Sequence, residues 1–272
     1  MENDFFKSFQ THFNYVKCMS EITNGLEICC NKNIKVKNPC LSQDVNFIKK
    51  INLIKPLKKT IDLEYDVVND LKELALPGGF WIPTKAYYLL FHMSCIISVL
   101  RNGDINCLNP EHIKVHNNLK TELINNKLKF NYDKFNKVYS YQEILDLERE
   151  SGYNLKNNFD NEKMINFILN KIINYKKEFI KRTKNVKDFR SKKGKEEIRK
   201  IKNMKFTLIE FIYFYRIKTN YSDIDFLDND IELEDLYNFY LNYYNLTNNI
   251  YLALKECLNE LHYKKCKNIN LI

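Results

Sequence analysis

Glycine and proline are scarce in this chain, six of the first and five of the second in 272 residues. Sheet folds with many tight turns and phosphate-cradling loops both draw heavily on glycine, because it adopts backbone angles that other residues avoid. A chain this poor in both is expected to fold as long helices joined by short polar loops. At this length it also has enough residues to bury a substantial core.

The hydrophobic pattern agrees. Phe5, Phe6, Phe9, Phe13 and Val16 recur at helical spacing and predict an amphipathic opening helix that stops near Asn24-Gly25. Residues 26–60 read as irregular, with "KVKNPC" and "LIKPLKK" breaking any period. Helical patterning resumes over 61–76, with Leu63, Val67, Leu71 and Leu74 on one face, and the "PGG" at Pro77 to Gly79 is expected to end it. Next comes "FWIPTKAYYLLFHMSCIISVLRNG", the most apolar stretch, with Pro83 expected in its first turn and Asn102-Gly103 closing it. Apolar residues cover most of its circumference, so it should be a central, buried helix.

Asn109-Pro110 reads as the cap and first position of a further helix. "KLKFNYDKFNKVYS" suits either a short hairpin or a loop, and "YQEILDLERESGY" a short helix. Three long helices follow in the reading: "EKMINFILNKIINYKKEFIKR", then "EEIRKIKNMKFTLIEFIYFYRIKTNY" after a charged hinge, then the terminal run beginning "ELEDLYNFYLNYYNL". The expected organisation is an N-terminal extension over residues 1–60, a helix plus an irregular segment, and one helical domain over 61–272.

The eight cysteines include no CxxC, and Cys29 and Cys30 are adjacent, which suits neither a zinc ribbon nor a redox motif. Reduced thiols and a cytoplasmic location are the simpler expectation. "HIKVH" places His112 and His116 one helical turn apart, but with no matching third ligand no metal is expected, nor any cofactor. Mean hydropathy is −0.47. No apolar run approaches the roughly 18 residues of a membrane span, and the N-terminus lacks the basic start and long apolar core of a secretory signal.

Net charge is +9 and unevenly placed. Residues 171–205 hold fifteen Lys or Arg against four Asp or Glu, a balance of +11, leaving about −2 for the rest. A single basic block on a near-neutral body is the electrostatic footprint of a phosphate-bearing partner, although it also fits a solvated helical face. Lys181, Arg182, Lys184, Lys187, Arg190, Lys192 and Lys193 are its densest part and the candidate RNA-binding residues.

Three segments, "AYYLLFHMSCIISVL", "HIKVHNNL" and "FYRIKTNYSDIDFLD", resemble in their order the core helices and the late Arg-bearing segment of HEPN domains. The resemblance implies an all-α antiparallel helical bundle, often a homodimer, in which an Arg and a His four to six residues later meet their counterparts near the dimer axis. Many HEPN proteins are metal-independent ribonucleases or toxins of prokaryotic antiviral defence and toxin–antitoxin systems, so RNA and a protein antitoxin or defence-complex partner are the implied partners. The residue types suit the chemistry. Deprotonating a ribose 2′-OH and protonating the leaving oxygen is acid–base work for a His, and an Arg pairs with the phosphate through its planar fork.

Arg216 matches the family Arg, whereas Tyr221, Ser222 and Asp223 stand where the His is expected. Tyr and Asp ordinarily titrate near about 10 and 3.9, far from neutrality. The candidate catalytic set is Arg216 with Tyr221, Asp223 and His92. His92 can equally be a hydrogen-bonded core histidine, and Arg216 an Arg that serves its own helix end or pairs with Asp223 and Asp225. A non-catalytic helical module binding nucleic acid or a protein partner is the alternative reading.

Overall fold

The computed structural model describes residues 2–30, 44–102, 128–150, 161–221 and 231–266, together with 108, 117, 119–122, 124 and 125. The fold is an all-α helical bundle, and its contacts divide the chain into two compact units, Met1–Asp133 with Tyr215–Ile272, and Lys134–Phe214. Residue 60, the expected domain boundary, lies inside a continuous helix.

The first unit contains α1 (Glu2–Ile22), β1 (Ile28–Cys30), α2 (Val45–Asp70), α3 (Ala75–Asn102) and β2 (Leu128–Phe130). It takes back the end of α8 (Glu210–Tyr221) and all of α9 (Leu233–Cys266). α3 and α9 pack along each other at its centre, with α2 on α3 and α1 on α9. As the apolar pattern predicts, α3 is buried on nearly every side, through Leu89, Met93, Cys95, Ile96, Val99 and Leu100 among others. α2 runs antiparallel to α9, as Tyr237 donating to Asn69 (2.6 Å) and Tyr244 donating to Asp62 (2.9 Å) show. Cys18, Cys95 and Cys257 are buried thiols not joined in disulfides. β1 pairs antiparallel with β2, so the stretch from Leu128 joins a distant strand in place of a local hairpin.

α2 begins sixteen residues earlier than the expected restart near residue 61. Asp44 caps it, its carboxylate accepting the N–H of Asn46 and of Phe47 at 2.9 Å each, which satisfies donors that the first turn leaves open. Pro56 is tolerated inside it. Only Phe47, Ile54, Ile61 and Val68 are buried, one position in seven, a stripe too narrow to register as a helical period. Leu63 and Val67, and Leu71 and Leu74 just beyond, form the opposite case: all four are solvent-exposed.

"PGG" does not end a helix; it lies in the first turns of α3, and the break falls earlier, at Leu71 and the 3-10 turn Lys72–Leu74. The reason is tertiary. A Cβ on Gly78 would sit 2.8 Å from Cε2 of Tyr240, so glycine is what lets the two central helices approach there. Pro77, near the helix start, forfeits an N–H that has no partner within the helix anyway. Pro83 likewise lies inside α3, not in its first turn.

The second unit contains most of α4 (Asp133–Asn136), β3 (Tyr139–Ser140), α5 (Tyr141–Glu150), α6 (Asn161–Lys184), α7 (Lys192–Lys202), β4 (Lys205–Phe206) and the start of α8. α6 buries Met164, Ile165, Ile168, Leu169, Ile172 and Ile173, the stripe expected of an amphipathic helix. The long helix expected from residue 196 to Tyr221 is broken into α7, β4 and α8. β4 pairs antiparallel with β3, and Glu210 reaches back to accept the Thr207 N–H at 2.9 Å. That Thr-x-x-Glu spacing is a helix-start signal readable in the sequence. Glu210 is fully buried and is also bridged by Lys176 at 2.6 Å, which fixes the new start against α6.

Candidate nucleic-acid interface

The basic block converges on the turn between α6 and α7, inside the second unit. Asn185 takes a left-handed conformation, φ 50°, just after α6, and the Val186 N–H reaches back to the Lys181 carbonyl at 3.0 Å. This closes the helix end in the manner of a Schellman turn, with Val186 buried as its apolar anchor. Asp188 then accepts the backbone N–H groups of Arg190 (2.6 Å) and Ser191 (2.9 Å). These bonds, the Ser191 one first, hold its carboxyl below the usual carboxylate range. The Ser191 hydroxyl caps α7 by accepting the Gly194 N–H at 3.1 Å.

Gly194 sets how tightly this turn folds. A Cβ there would lie 2.1 Å from the Asp188 carbonyl oxygen and 2.7 Å from the Phe189 Cα, both backbone atoms. The start of α7 therefore rests directly on the residues that precede it, and the turn is a built loop whose backbone is spoken for.

On this frame Arg182, Lys184, Lys187, Arg190, Lys192 and Lys193 are all exposed. Lys181 differs: it is half-buried, bonded to Glu178 at 2.7 Å, with its ammonium 5.6 Å from the Phe189 ring. Residues 181–193 contain seven basic residues against one acidic, a balance of +6. The one acid, Asp188, spends its carboxylate on backbone N–H groups. Six cations on a short fixed turn can each meet a phosphate oxygen, with Arg182 and Arg190 able to do so through two parallel bonds.

Arg216 belongs to the first unit. It is 7 % exposed, and its guanidinium lies against the aromatic pair of α3, 5.0 Å from the Tyr87 ring centre and 5.4 Å from that of Tyr88. One terminal nitrogen donates to the Tyr88 hydroxyl at 3.1 Å. His92 lies one turn beyond Tyr88 on the same helix, their rings 6.5 Å apart, and meets the edge of Phe91 at 5.5 Å. The fold thus brings two of the four candidate catalytic residues, Arg216 and His92, to one stretch of α3, with Tyr88 between them. Tyr88 was not among the expected site residues. Its signal is present in "AYYLLFH", where a phenol and an imidazole stand four apart and share a helix face.

Tyr221 is the last residue of α8. Asp223, and Ser222 before it, lie outside the described residues, as do His112 and His116. Among the described residues no three of His, Cys, Asp and Glu come together as a metal-binding group. No described helix is long and apolar enough to cross a membrane. Compared with protein-family models, with curated proteins and with solved structures, the chain matches none, so the all-α bundle stands on its own geometry.

Proposed function

We propose that this chain is an RNA-binding helical protein that holds the phosphate backbone on the turn between α6 and α7. The observation that carries the reading is the set of six exposed cations on a backbone fixed by Asp188, Ser191 and Gly194. A solvated lysine-rich face needs no such frame, because loose side chains on any helix satisfy solubility alone. Phosphate contacts supply affinity without sequence reading, so the turn favours backbone over base recognition.

The test is RNA binding by fluorescence anisotropy over a salt series. Single-stranded RNA should bind with a log–log salt slope of about −0.7 per phosphate contacted. Replacing Arg182, Lys184, Lys187, Arg190, Lys192 and Lys193 by Ala should lower affinity and flatten that slope. Unchanged affinity and slope in the six-fold variant would overturn the proposal.

A second reading is favoured by one observation, the Arg216 guanidinium bonded to Tyr88 with His92 a turn away. It is metal-independent ribonuclease activity of the HEPN kind, consistent with a toxin or defence role and supported by the sequence resemblance. Arg216 would stabilise charge on the scissile phosphate and His92 would move the proton. Labelled tRNA and mRNA incubated with the protein in EDTA separate the two readings. Cleavage that Arg216→Ala and His92→Ala both abolish, with helical circular dichroism retained, establishes the enzyme. Salt-dependent binding with no product leaves the binding module.

A further inference from the structure

α2 carries two apolar faces, and its own fold uses only one. Phe47, Ile54, Ile61 and Val68 pack inward. At 3.6 residues per turn, Leu53, Leu63, Val67 and Leu71 fall on a separate stripe, and each is 46–54 % exposed. Trp81, 59 % exposed, extends this surface from α3, one turn before Lys85, which pairs with Glu64 of α2. Single exposed apolar residues are ordinary, but four on one side of a helix, with the only tryptophan in the sequence exposed on the helix packed beside it, are the signature of a contact surface.

The charges along the same helix say what fits there. From Val45 to Lys59 there are five lysines and no acid, and from Thr60 to Asp70 four acids and no base. That order opposes the helix macrodipole, which favours acids near the start and bases near the end. No acid stands in its first turn and no base in its last. Lys50, Lys58 and Glu64 serve partners within the chain, Phe91, Asp62 and Lys85 respectively. Lys55, Lys59, Asp66 and Asp70 are exposed along one flank of the apolar stripe.

We infer that this face of α2 is a homodimer interface, in which a second copy of the chain packs its own α2 antiparallel against it. A two-fold axis makes such a contact self-complementary. In an antiparallel helix pair the same flank of each helix faces the other, so an axis crossing near residues 62–63 sets Lys55 and Lys59 of one copy opposite Asp70 and Asp66 of its partner. The same axis sets Leu53 against Leu71. Every basic half meets an acidic half, and the arrangement that the isolated helix disfavours becomes an attraction. With the axis there, the two copies overlap over residues 53–71, about 27 Å of helix, a contact at the smaller end of stable dimer interfaces, and the expected association is micromolar and weakened by salt. The inference is independent of the nucleic-acid reading, which rests on the other unit.

Sedimentation equilibrium across the micromolar range tests it, with emission of the single tryptophan as a second readout. The wild-type chain should dimerise, with Trp81 emission moving to shorter wavelength as concentration rises. Leu63→Glu with Val67→Glu should weaken association by at least about tenfold, a loss usual for truncating or charging an interface centre. The decisive arm pairs two variants, Lys55→Glu with Lys59→Glu in one and Asp66→Lys with Asp70→Lys in the other. Each alone should be monomeric, and their equimolar mixture should form a heterodimer. A monomeric wild-type chain, or a mixture that stays monomeric while the wild-type dimerises, would overturn the inference.

Discussion

Replacing Gly194 by Ala probes whether the cationic turn is a built structure. The added methyl would meet the Asp188 carbonyl oxygen at 2.1 Å and the Phe189 Cα at 2.7 Å, with backbone on both sides and no flexible side chain to swing away. Two responses are open to the chain. If the turn keeps its path and absorbs the contact, the cost is that of overpacking, about 1–3 kcal/mol. If α7 moves off the turn, the Ser191 cap is lost at about 1 kcal/mol, and the Asp188 bonds go with it. The overpacking range centres on about 2 kcal/mol, roughly a thirtyfold rise in local opening. Amide hydrogen exchange should show that rise at Arg190, Ser191 and position 194, and RNA affinity should fall although no charge has been removed. Lys192→Ala, at an exposed position, serves as the comparison and should leave exchange unchanged. Wild-type protection at those amides in Gly194→Ala would refute the close approach and, with it, the idea of a prearranged cationic surface.

Two further outcomes follow from buried polar groups. Glu210→Ala leaves Lys176, whose side chain is 14 % exposed, beside a removed partner, and it also deprives the Thr207 N–H of its acceptor. Denaturant unfolding should show a loss of about 3 kcal/mol, while Glu210→Leu combined with Lys176→Met should recover part of it, because both charges then leave together. Burial raises the phenol pKa of Tyr240, Tyr243 and Tyr244 above 10.0, with the bond to Asp62 adding to the effect at Tyr244. A raised folded-state pKa contributes stability that is intact below pH 10 and lost as pH climbs toward the folded value, since the unfolded chain then sheds protons that the folded one keeps. Ultraviolet titration should therefore show a fraction of tyrosines ionising only as helical circular dichroism collapses. All tyrosines titrating together near pH 10 with the helices intact would contradict this.

Much was legible in the sequence, and for local reasons. Six glycines and five prolines in 272 residues confine a chain to long helices, and α6 and α9 follow directly from apolar spacing, because each buries a broad stripe against neighbours. The concentration of charge over 171–205 is a property of composition, and the turn merely gathers it. Other features depended on what lies across from a residue. Gly78 reads as a helix breaker until Tyr240 is seen against it. Leu63 and Val67 read as core until Ile54, Ile61 and Val68 are seen to hold that place. The break before α8 has a local signal in Thr207 and Glu210, but its hold against α6 needed Lys176 and Glu210, 34 positions apart, to meet.

The candidate site divides the same way. Sequence nominated Arg216 and His92 separately, but a hydrogen bond from Arg216 to Tyr88 spans 128 positions and has no trace in any local pattern. Periodicity records which side chains avoid water along one helix; it holds no information about which helix does the covering. The sequence by itself determined an all-α chain, the helices α6 and α9, and where its positive charge is concentrated. Only the tertiary structure decided which apolar face of α2 is core, how closely α3 and α9 approach, and that Arg216 rests on an aromatic pair, because each of these depends on contacts between residues remote in the chain.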